Sequence, residues 1–112
     1  MIYLNEVISS IEGKLETVNL NPESIEIEGG YVSDLLSDVM GNALKNQVWI
    51  TIMKHLNVIA VASLAGIPAI IFSKNSTPDQ TVIQKAEEEG IALISSPLST
   101  FKIAGILYSL FT

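Results

Sequence analysis

The sequence lacks both cysteine and arginine: all six residues counted as Lys or Arg are lysines. Without cysteine the chain has no disulfide, no catalytic thiol and no thiolate ligand for a metal. With a net charge of −6 and no guanidinium group, we expect no binding of nucleic acid. The first residues lack a basic region followed by an apolar core, so we predict no signal peptide and a cytoplasmic protein.

Charged residues are also scarce, at 16% of the chain against 48% hydrophobic residues. A chain of 112 residues is expected to form one domain, residues 1–112, and its core can bury only part of this apolar material. Apolar surface that does not fit inside a small core often enters a subunit interface. We therefore expect a homo-oligomer, with a twofold dimer as the commonest closed form.

The longest uncharged run, Leu56 to Ser73, is long enough to raise the possibility of a membrane span. Gly66 and Pro68 interrupt it, and Asn57 and Ser63 are polar. A helix of about ten residues followed by a short strand explains the same run without a bilayer. We therefore predict no association with the membrane.

The segment from Val48 to Ser73 is expected to organise the fold. Val48 to Met53 is rich in β-branched and aromatic residues, which favours a strand buried on both faces. Asn57 is a possible cap for a helix that Gly66 and Pro68 then end. The next apolar run is a second strand, and a strand–helix–strand unit of this kind normally has parallel strands with a right-handed crossover.

Helices and strands are expected to alternate along the rest of the chain, with a third buried strand at Ile91 to Ile94. The N-terminal third predicts a helix and two strands, at Lys14 to Val18 and around Ile25 to Glu28, that extend the edge of the sheet. The other predicted helix caps are Ser33, Thr77 and either Ser99 or Thr100. This order predicts an α/β fold, a single three-layer domain with a mostly parallel central sheet flanked by helices.

Ligands of such sheets bind beyond the carboxyl ends of the strands. Hydroxyl, amide and basic side chains there, with free N–H groups at helix starts, could hold a carboxylate or phosphate. The candidate ligand-binding residues at this edge are Thr51, His55, Asn57, Ser73, Lys74, Asn75, Ser95 and Ser96. The alternative is that these residues only form loops and cap helices.

His55, the only histidine, is the first of these candidates because it stands beside Asn57. No acidic residue near it in sequence could act as its partner in general base catalysis. It also has no companion at a spacing usual for a metal site. Asp34 and Asp38 could approach a cation, but helix-start charge and solvent exposure explain them more simply. We predict neither a metal nor a cofactor.

Three stretches together resemble the DRTGG domain family, with a fold similar to the N-terminal domain of HPr kinase/phosphorylase. They are GGYVSDLLSDVMGNA from Gly29, VWITIMKHLNVIAVASLAGIPAIIF from Val48, and PDQTVIQKAEEEGIALISSPLSTFKIAG from Pro78. Gly29 and Gly30 stand where the family has its glycine pair, and this resemblance adds them to the candidate ligand-binding residues. Glu28 stands at the family's threonine position, and the family's arginine has no counterpart in this chain.

The resemblance implies a regulatory or ligand-sensing accessory module and no known reaction. The P-loop pattern of the HPr kinase catalytic domain does not occur in this sequence. Our leading hypothesis is a non-catalytic module that acts as a homodimer and responds to a small anionic ligand or a partner protein. The alternatives are an interaction adaptor that binds no small molecule and an enzyme that uses His55.

Overall fold

The computed structural model describes all 112 residues, Met1 to Thr112. The seven strands are β1 (Ile2–Tyr3), β2 (Lys14–Leu15), β3 (Glu26–Ile27), β4 (Gly29–Val32), β5 (Gln47–Thr51), β6 (Ala69–Phe72) and β7 (Ala92–Ser95). The five α-helices are α1 (Leu4–Ser10), α2 (Leu36–Asn42), α3 (Leu56–Ala65), α4 (Gln80–Glu89) and α5 (Thr100–Phe111). A single 3₁₀ turn at Pro22–Ser24 precedes β3.

Five strands form the main sheet, in the order β2-β7-β6-β5-β4. Strands β4 to β7 are parallel to one another, and the short β2 lies antiparallel beside β7. This confirms the predicted α/β fold with a mostly parallel sheet. The prediction for the N-terminal third is right for β2 and wrong for β3, which pairs with β1 in a separate two-stranded sheet.

The sheet carries one apolar core on each face, because successive side chains of a strand point to opposite sides. Trp49, Phe72 and Leu93 pack with α2, α3 and α4 on one face. Ile50 and Ile71 pack with α1 and α5 on the other. The helices on both faces cover strands that are almost wholly buried, which is why β5, β6 and β7 read as continuous apolar runs.

The predicted strand–helix–strand unit is confirmed. Gly66 ends α3 with a φ of 73°, in the left-handed region that glycine enters without steric penalty. Its backbone N–H donates to the carbonyl oxygens of Ala62 and Ser63, which satisfies the last turn of the helix. Strand β6 then runs parallel to β5, with Ala69 opposite Val48.

Three predicted helix caps are wrong, and each error has a local cause. Asn57 lies inside α3, because the helix begins at Leu56 after an extended His55 whose side chain forms no cap. Thr77 does not cap α4; Asp79 does, since its carboxylate follows Pro78 and accepts from the backbone N–H of Val82 at 3.1 Å. A carboxylate is as good a cap as a hydroxyl and suits the helix dipole.

Ser33 also caps no helix, because α2 begins only at Leu36. The Ser33 hydroxyl instead accepts from the backbone N–H of Leu35 at 3.2 Å. The last predicted cap is confirmed, since the Ser99 hydroxyl accepts from the backbone N–H of Lys102 at 3.2 Å. No helix combines the length and apolar character needed to cross a membrane.

Candidate functional site

Four parallel strands end at one edge of the sheet, and eight of the ten predicted site residues lie in the segments that follow these ends. Thr51 ends β5 and Ser95 ends β7, while Ser73 and Ser96 are the next residues after β6 and β7. The loops after β5 and β6 are joined, since the Ser76 hydroxyl donates to the carbonyl of Ile52 at 3.0 Å.

The hydroxyl groups at this edge are buried and form hydrogen bonds within the chain. The Thr51 hydroxyl donates to Asp34 at 2.6 Å and accepts from the backbone N–H of Met53 at 3.1 Å. Ser73 shares a hydrogen bond of 2.6 Å with Thr100. Ser95 donates to Glu16, and Ser96 donates to the carbonyl of Ile11 at 2.7 Å. These bonds tie the strand ends to neighbouring segments.

The other four candidates at this edge are exposed, and their side chains form no hydrogen bonds: His55, Asn57, Lys74 and Asn75. Lys74 and Asn75 have φ values of 59° and 57°. Their backbone N–H groups donate to the carbonyls of Leu98 at 2.9 Å and Ser96 at 2.8 Å, which fixes the loop. The start of α3 has no side-chain cap, so its first N–H groups are open to solvent.

The remaining candidates, Gly29 and Gly30, lie at the amino end of the edge strand β4 and line the one cavity in the structure. This cleft lies between β4 and the second half of α5 and has a volume of about 400 Å³. Ligand pockets commonly measure about 300–1,000 Å³. The ten lining residues include none with a charged side chain: Gly29, Gly30, Val32, Gln47, Ile50, Ala104, Leu107, Tyr108, Phe111 and Thr112.

The glycine pair forms neither a bulge nor a turn, because Gly29 and Gly30 continue the regular ladder opposite Gln47 and Val48. Neither has a positive φ. A Cβ at Gly29 would meet no atom closer than 3.8 Å, and one at Gly30 none closer than 3.7 Å, which is ordinary contact. The backbone therefore does not require glycine here, and the missing side chain of Gly30, on the face of β4 that meets α5, leaves the cleft open.

The opposite wall of the cleft comes from the end of α5. Tyr108 is 74% exposed and Phe111 is half-buried. Gln47 stands at the amino end of the cleft, where its side-chain carbonyl accepts from the backbone N–H of Leu44 at 2.7 Å. From the sequence alone, Tyr108 and Phe111 on the last helix could equally cover the core or a partner, and neither is a candidate site residue. The spacing of residues within one segment could not predict that these two side chains lie near a glycine pair about 80 residues earlier in the chain.

The two aspartates considered for a cation point to different partners. Asp34 accepts from Thr51 and from the backbone N–H of Ile52 at 3.0 Å. Asp38 accepts from the Tyr31 hydroxyl, with both carboxylate oxygens at 2.9 Å. Hydrogen bonding from Ser33 and then Tyr31 lowers the pKa of Asp38, and the bond to Asp38 raises the pKa of Tyr31. No three His, Asp or Glu side chains cluster in a way that could hold a metal ion.

The comparison with protein families matches a DRTGG domain over residues 27–110, which includes the glycine pair and four of the five strands of the main sheet. The chain belongs to the DRTGG domain family. The match begins at Ile27, so it includes Glu28 and the glycine pair. No curated protein matches the chain.

One similar solved structure is the regulatory region of Clostridium perfringens pyrophosphatase, with its CBS and DRTGG domains, complexed with the activator diadenosine tetraphosphate. The TM-score is 0.70 at 12% sequence identity. The likeness covers 94% of this DRTGG chain and 45% of the pyrophosphatase chain. At that identity the likeness establishes a common fold.

Proposed function

We propose that this DRTGG domain is a non-catalytic regulatory module that binds a small ligand in the cleft between β4 and α5. The family membership supports a regulatory role, as does the occurrence of the same fold in a regulatory region that is crystallised with a nucleotide activator. The observation that carries the proposal is the second glycine of the pair. Gly30 faces α5 and keeps a cleft open where the backbone does not require glycine.

Glycine inside a strand destabilises a protein by roughly 0.5–1 kcal/mol relative to alanine, because it loses more backbone freedom on folding. Gly29 and Gly30 incur this cost without a positive φ or a close backbone contact to explain it. A side chain at Gly30, on the same face of β4 as Val32, would enter the space faced by Tyr108 and Phe111, whereas one at Gly29 would point to the other face of the sheet. A role in admitting a ligand accounts for the glycine at position 30.

The lining favours a flat, uncharged part of a ligand, such as a planar ring. None of the lining side chains carries a charge. The C-terminal end of α5 lies at the cleft, and the negative end of a helix dipole disfavours an anion there. A ring could lie on the Gly30 backbone and contact the aromatic faces of Tyr108 and Phe111, as rings prefer in protein sites.

An anionic group would find better partners at the carboxyl edge of the sheet. There His55 and Asn57 are exposed at the uncapped start of α3, where the helix dipole favours negative charge. Lys74 and Asn75 are exposed in the loop after β6, which Ser76 joins to the loop after β5. The predicted role of these residues in binding a carboxylate or phosphate stays a prediction. It is separable by experiment from binding in the cleft.

Thermal shift of the purified protein tests the proposal, with a panel of nucleotides, acyl phosphates and sugar phosphates that includes diadenosine tetraphosphate. A specific ligand at 100 times its Kd adds about 2.7 kcal/mol of stability and raises Tm. Gly30→Val should abolish that shift while leaving the ligand-free Tm unchanged or higher, because valine favours strands and fits the backbone.

Two further variants make the result specific. Gly41→Ala is the matched control, since Gly41 lies in α2 with open space around its Cα and should bind as the wild type does. Lys74→Gln tests the carboxyl edge of the sheet. If Lys74→Gln loses the ligand-induced shift in Tm and Gly30→Val keeps it, the ligand binds at the carboxyl edge and not in the cleft. Full binding by Gly30→Val contradicts the cleft proposal.

The alternative function is an interaction adaptor that binds no small molecule. The observation that favours it is the number of large apolar side chains exposed on α2 and α3. The absence of any reproducible shift across the panel would favour the adaptor. Action as a homodimer and a cytoplasmic location belong to the proposed function. The dimer rests on the large apolar excess of so small a chain.

A further inference from the structure

We infer that two copies of this chain associate through the outward faces of α2 and α3. This inference rests on the homodimer proposed above and specifies its surface. The two helices lie side by side on one face of the sheet, and both pack on the core around Trp49 and Phe72. Their opposite sides, called here the α2–α3 face, are open in the single chain.

The α2–α3 face is apolar where a surface helix is normally polar. Helix α3 buries Val58, Ile59 and Ala62, yet its outward residues include Leu56, 47% exposed, and Leu64, 75% exposed. On the α2 side, Leu35, Met40 and Leu44 are 63%, 47% and 66% exposed. A helix that is apolar on every side is normally covered on every side.

The charge distribution favours a second copy as the covering partner. Helix α3 has no charged residue, and the only one in α2 is Asp38, whose carboxylate is bound by Tyr31 and Asn42. The chain has a net charge of −6, so most surfaces of two copies repel each other. One further carboxylate reaches the edge of the α2–α3 face, since Glu89 of α4 accepts from the Ser63 hydroxyl at 3.2 Å. The exposed leucines and methionine of the face can meet their own copy without carboxylates between them. A face of this kind is complementary to itself, as a twofold interface requires.

The size of the α2–α3 face also suits a dimer. Its five large apolar side chains, Leu35, Met40, Leu44, Leu56 and Leu64, together expose on the order of 600 Å², against about 800 Å² per partner in a standard interface. Typical monomers expose no larger contiguous apolar patch than about 300–600 Å².

Light scattering on the full chain tests the inference, with Leu64→Glu as the main variant and Phe101→Glu as the matched control. Phe101 is 88% exposed and lies on α5, on the opposite face of the sheet. At micromolar concentration the wild type and Phe101→Glu should have twice the chain mass of 12.1 kDa. Leu64→Glu should raise the dimer dissociation constant at least about 100-fold, because it places a charge at the centre of an apolar interface.

Met40→Glu, on the neighbouring helix, is the second variant and guards against a folding defect in Leu64→Glu. Far-ultraviolet circular dichroism must show native helix content before a monomer mass is accepted as support. A monomeric wild type would overturn the dimer itself. If the wild type is a dimer and both Leu64→Glu and Met40→Glu are also dimers, the protein dimerises through a surface other than the α2–α3 face, and the inference is overturned.

Discussion

Helices α3 and α4 make an instructive pair, because they share their length, position and ending and differ in their outward sides and in the capping of their first turns. Each has ten residues, connects two parallel strands and packs on the same face of the sheet. Each ends at a glycine in the left-handed region, Gly66 at 73° and Gly90 at 74°. They also bury residues at the same spacing: Val58, Ile59 and Ala62 in α3, and Val82, Ile83 and Ala86 in α4.

The outward sides of these helices differ completely. Helix α4 exposes glutamine, lysine and glutamate, and Lys85 forms an ion pair with Glu89 at 3.6 Å. Helix α3 exposes leucine, alanine and asparagine instead. Packing on the sheet determines which residues a crossover helix buries, and it does not constrain the residues on the outward side. Folding of a single chain therefore does not explain the apolar outward side of α3, and the proposed dimer accounts for it.

The largest expected effect is on the free energy of unfolding, and it tests whether the buried sides of α3 and α4 contribute equally to stability. Ile59→Ala and Ile83→Ala should each lower the free energy of unfolding by about 2–4 kcal/mol, because each removes buried methyl groups and leaves a cavity. The loss for Ile59→Ala should lie at the upper end of this range, since Ile59 is fully buried whereas Ile83 is 7% exposed. Urea unfolding of both variants is the measurement. A loss below 1 kcal/mol in only one of them would break the comparison.

A medium effect should appear at the starts of the two helices, where they differ. Asp79→Ala removes the carboxylate that accepts from Val82 and should lower stability by about 1 kcal/mol. His55→Ala should leave stability almost unchanged, because the His55 side chain forms no cap. His55→Asp should raise it by up to about 1 kcal/mol by supplying a cap to α3. Equal losses in Asp79→Ala and His55→Ala would contradict the assigned caps.

The smallest effect concerns the one carboxylate of α2, Asp38, which accepts hydrogen bonds from Tyr31 and Asn42. The pKa of Asp38 is lower in the folded chain, so this group adds stability above its ordinary pKa of 3.8, and the gain is lost as pH falls through the lower folded value. The raised pKa of Tyr31 has the opposite sense, so its contribution is present below pH 10.0 and is lost at higher pH.

Tyr31→Phe removes the shared hydrogen bond and should flatten both ends of the pH profile relative to the wild type. Chemical unfolding at a series of pH values from acid to alkaline compares the two proteins. An unchanged acid limb in Tyr31→Phe would assign the shift of Asp38 to other groups, with Ser33 as the first to examine by a Ser33→Ala variant.

The fold was accessible from the sequence wherever one residue type decides the backbone. Gly66 and Pro68 divide an uncharged run into a helix and a strand, and the structure divides it there. The helix starts were harder, because Thr77 and Asp79 compete for one role and only the position of the first turn decides between them. The short strands β1 and β3 offered no pattern long enough to indicate their pairing.

The candidate site was less accessible, because it depends on contacts between distant segments. Sequence reasoning selected Gly29 and Gly30 and noticed Tyr108 and Phe111, but the packing of α5 across β4 brings them together. The serine and threonine residues at strand ends were selected as candidates although their hydroxyl groups already form hydrogen bonds within the chain. The sequence cannot distinguish a hydroxyl that is free to bind a ligand from one that, like those of Ser73 and Ser96, has a partner in the chain.

The central claim is that Gly30 opens a ligand site, and a nuclear magnetic resonance titration tests it most directly. A ¹⁵N-labelled sample is titrated with the ligand that shifts Tm most in the panel, and with ATP as a fixed nucleotide probe. We predict that the backbone amide signals of Gly29, Gly30 and Tyr108 move together and saturate, while those of α4 stay in place. Saturable shifts confined to other residues, or no shifts with a ligand that raises Tm, would contradict the account.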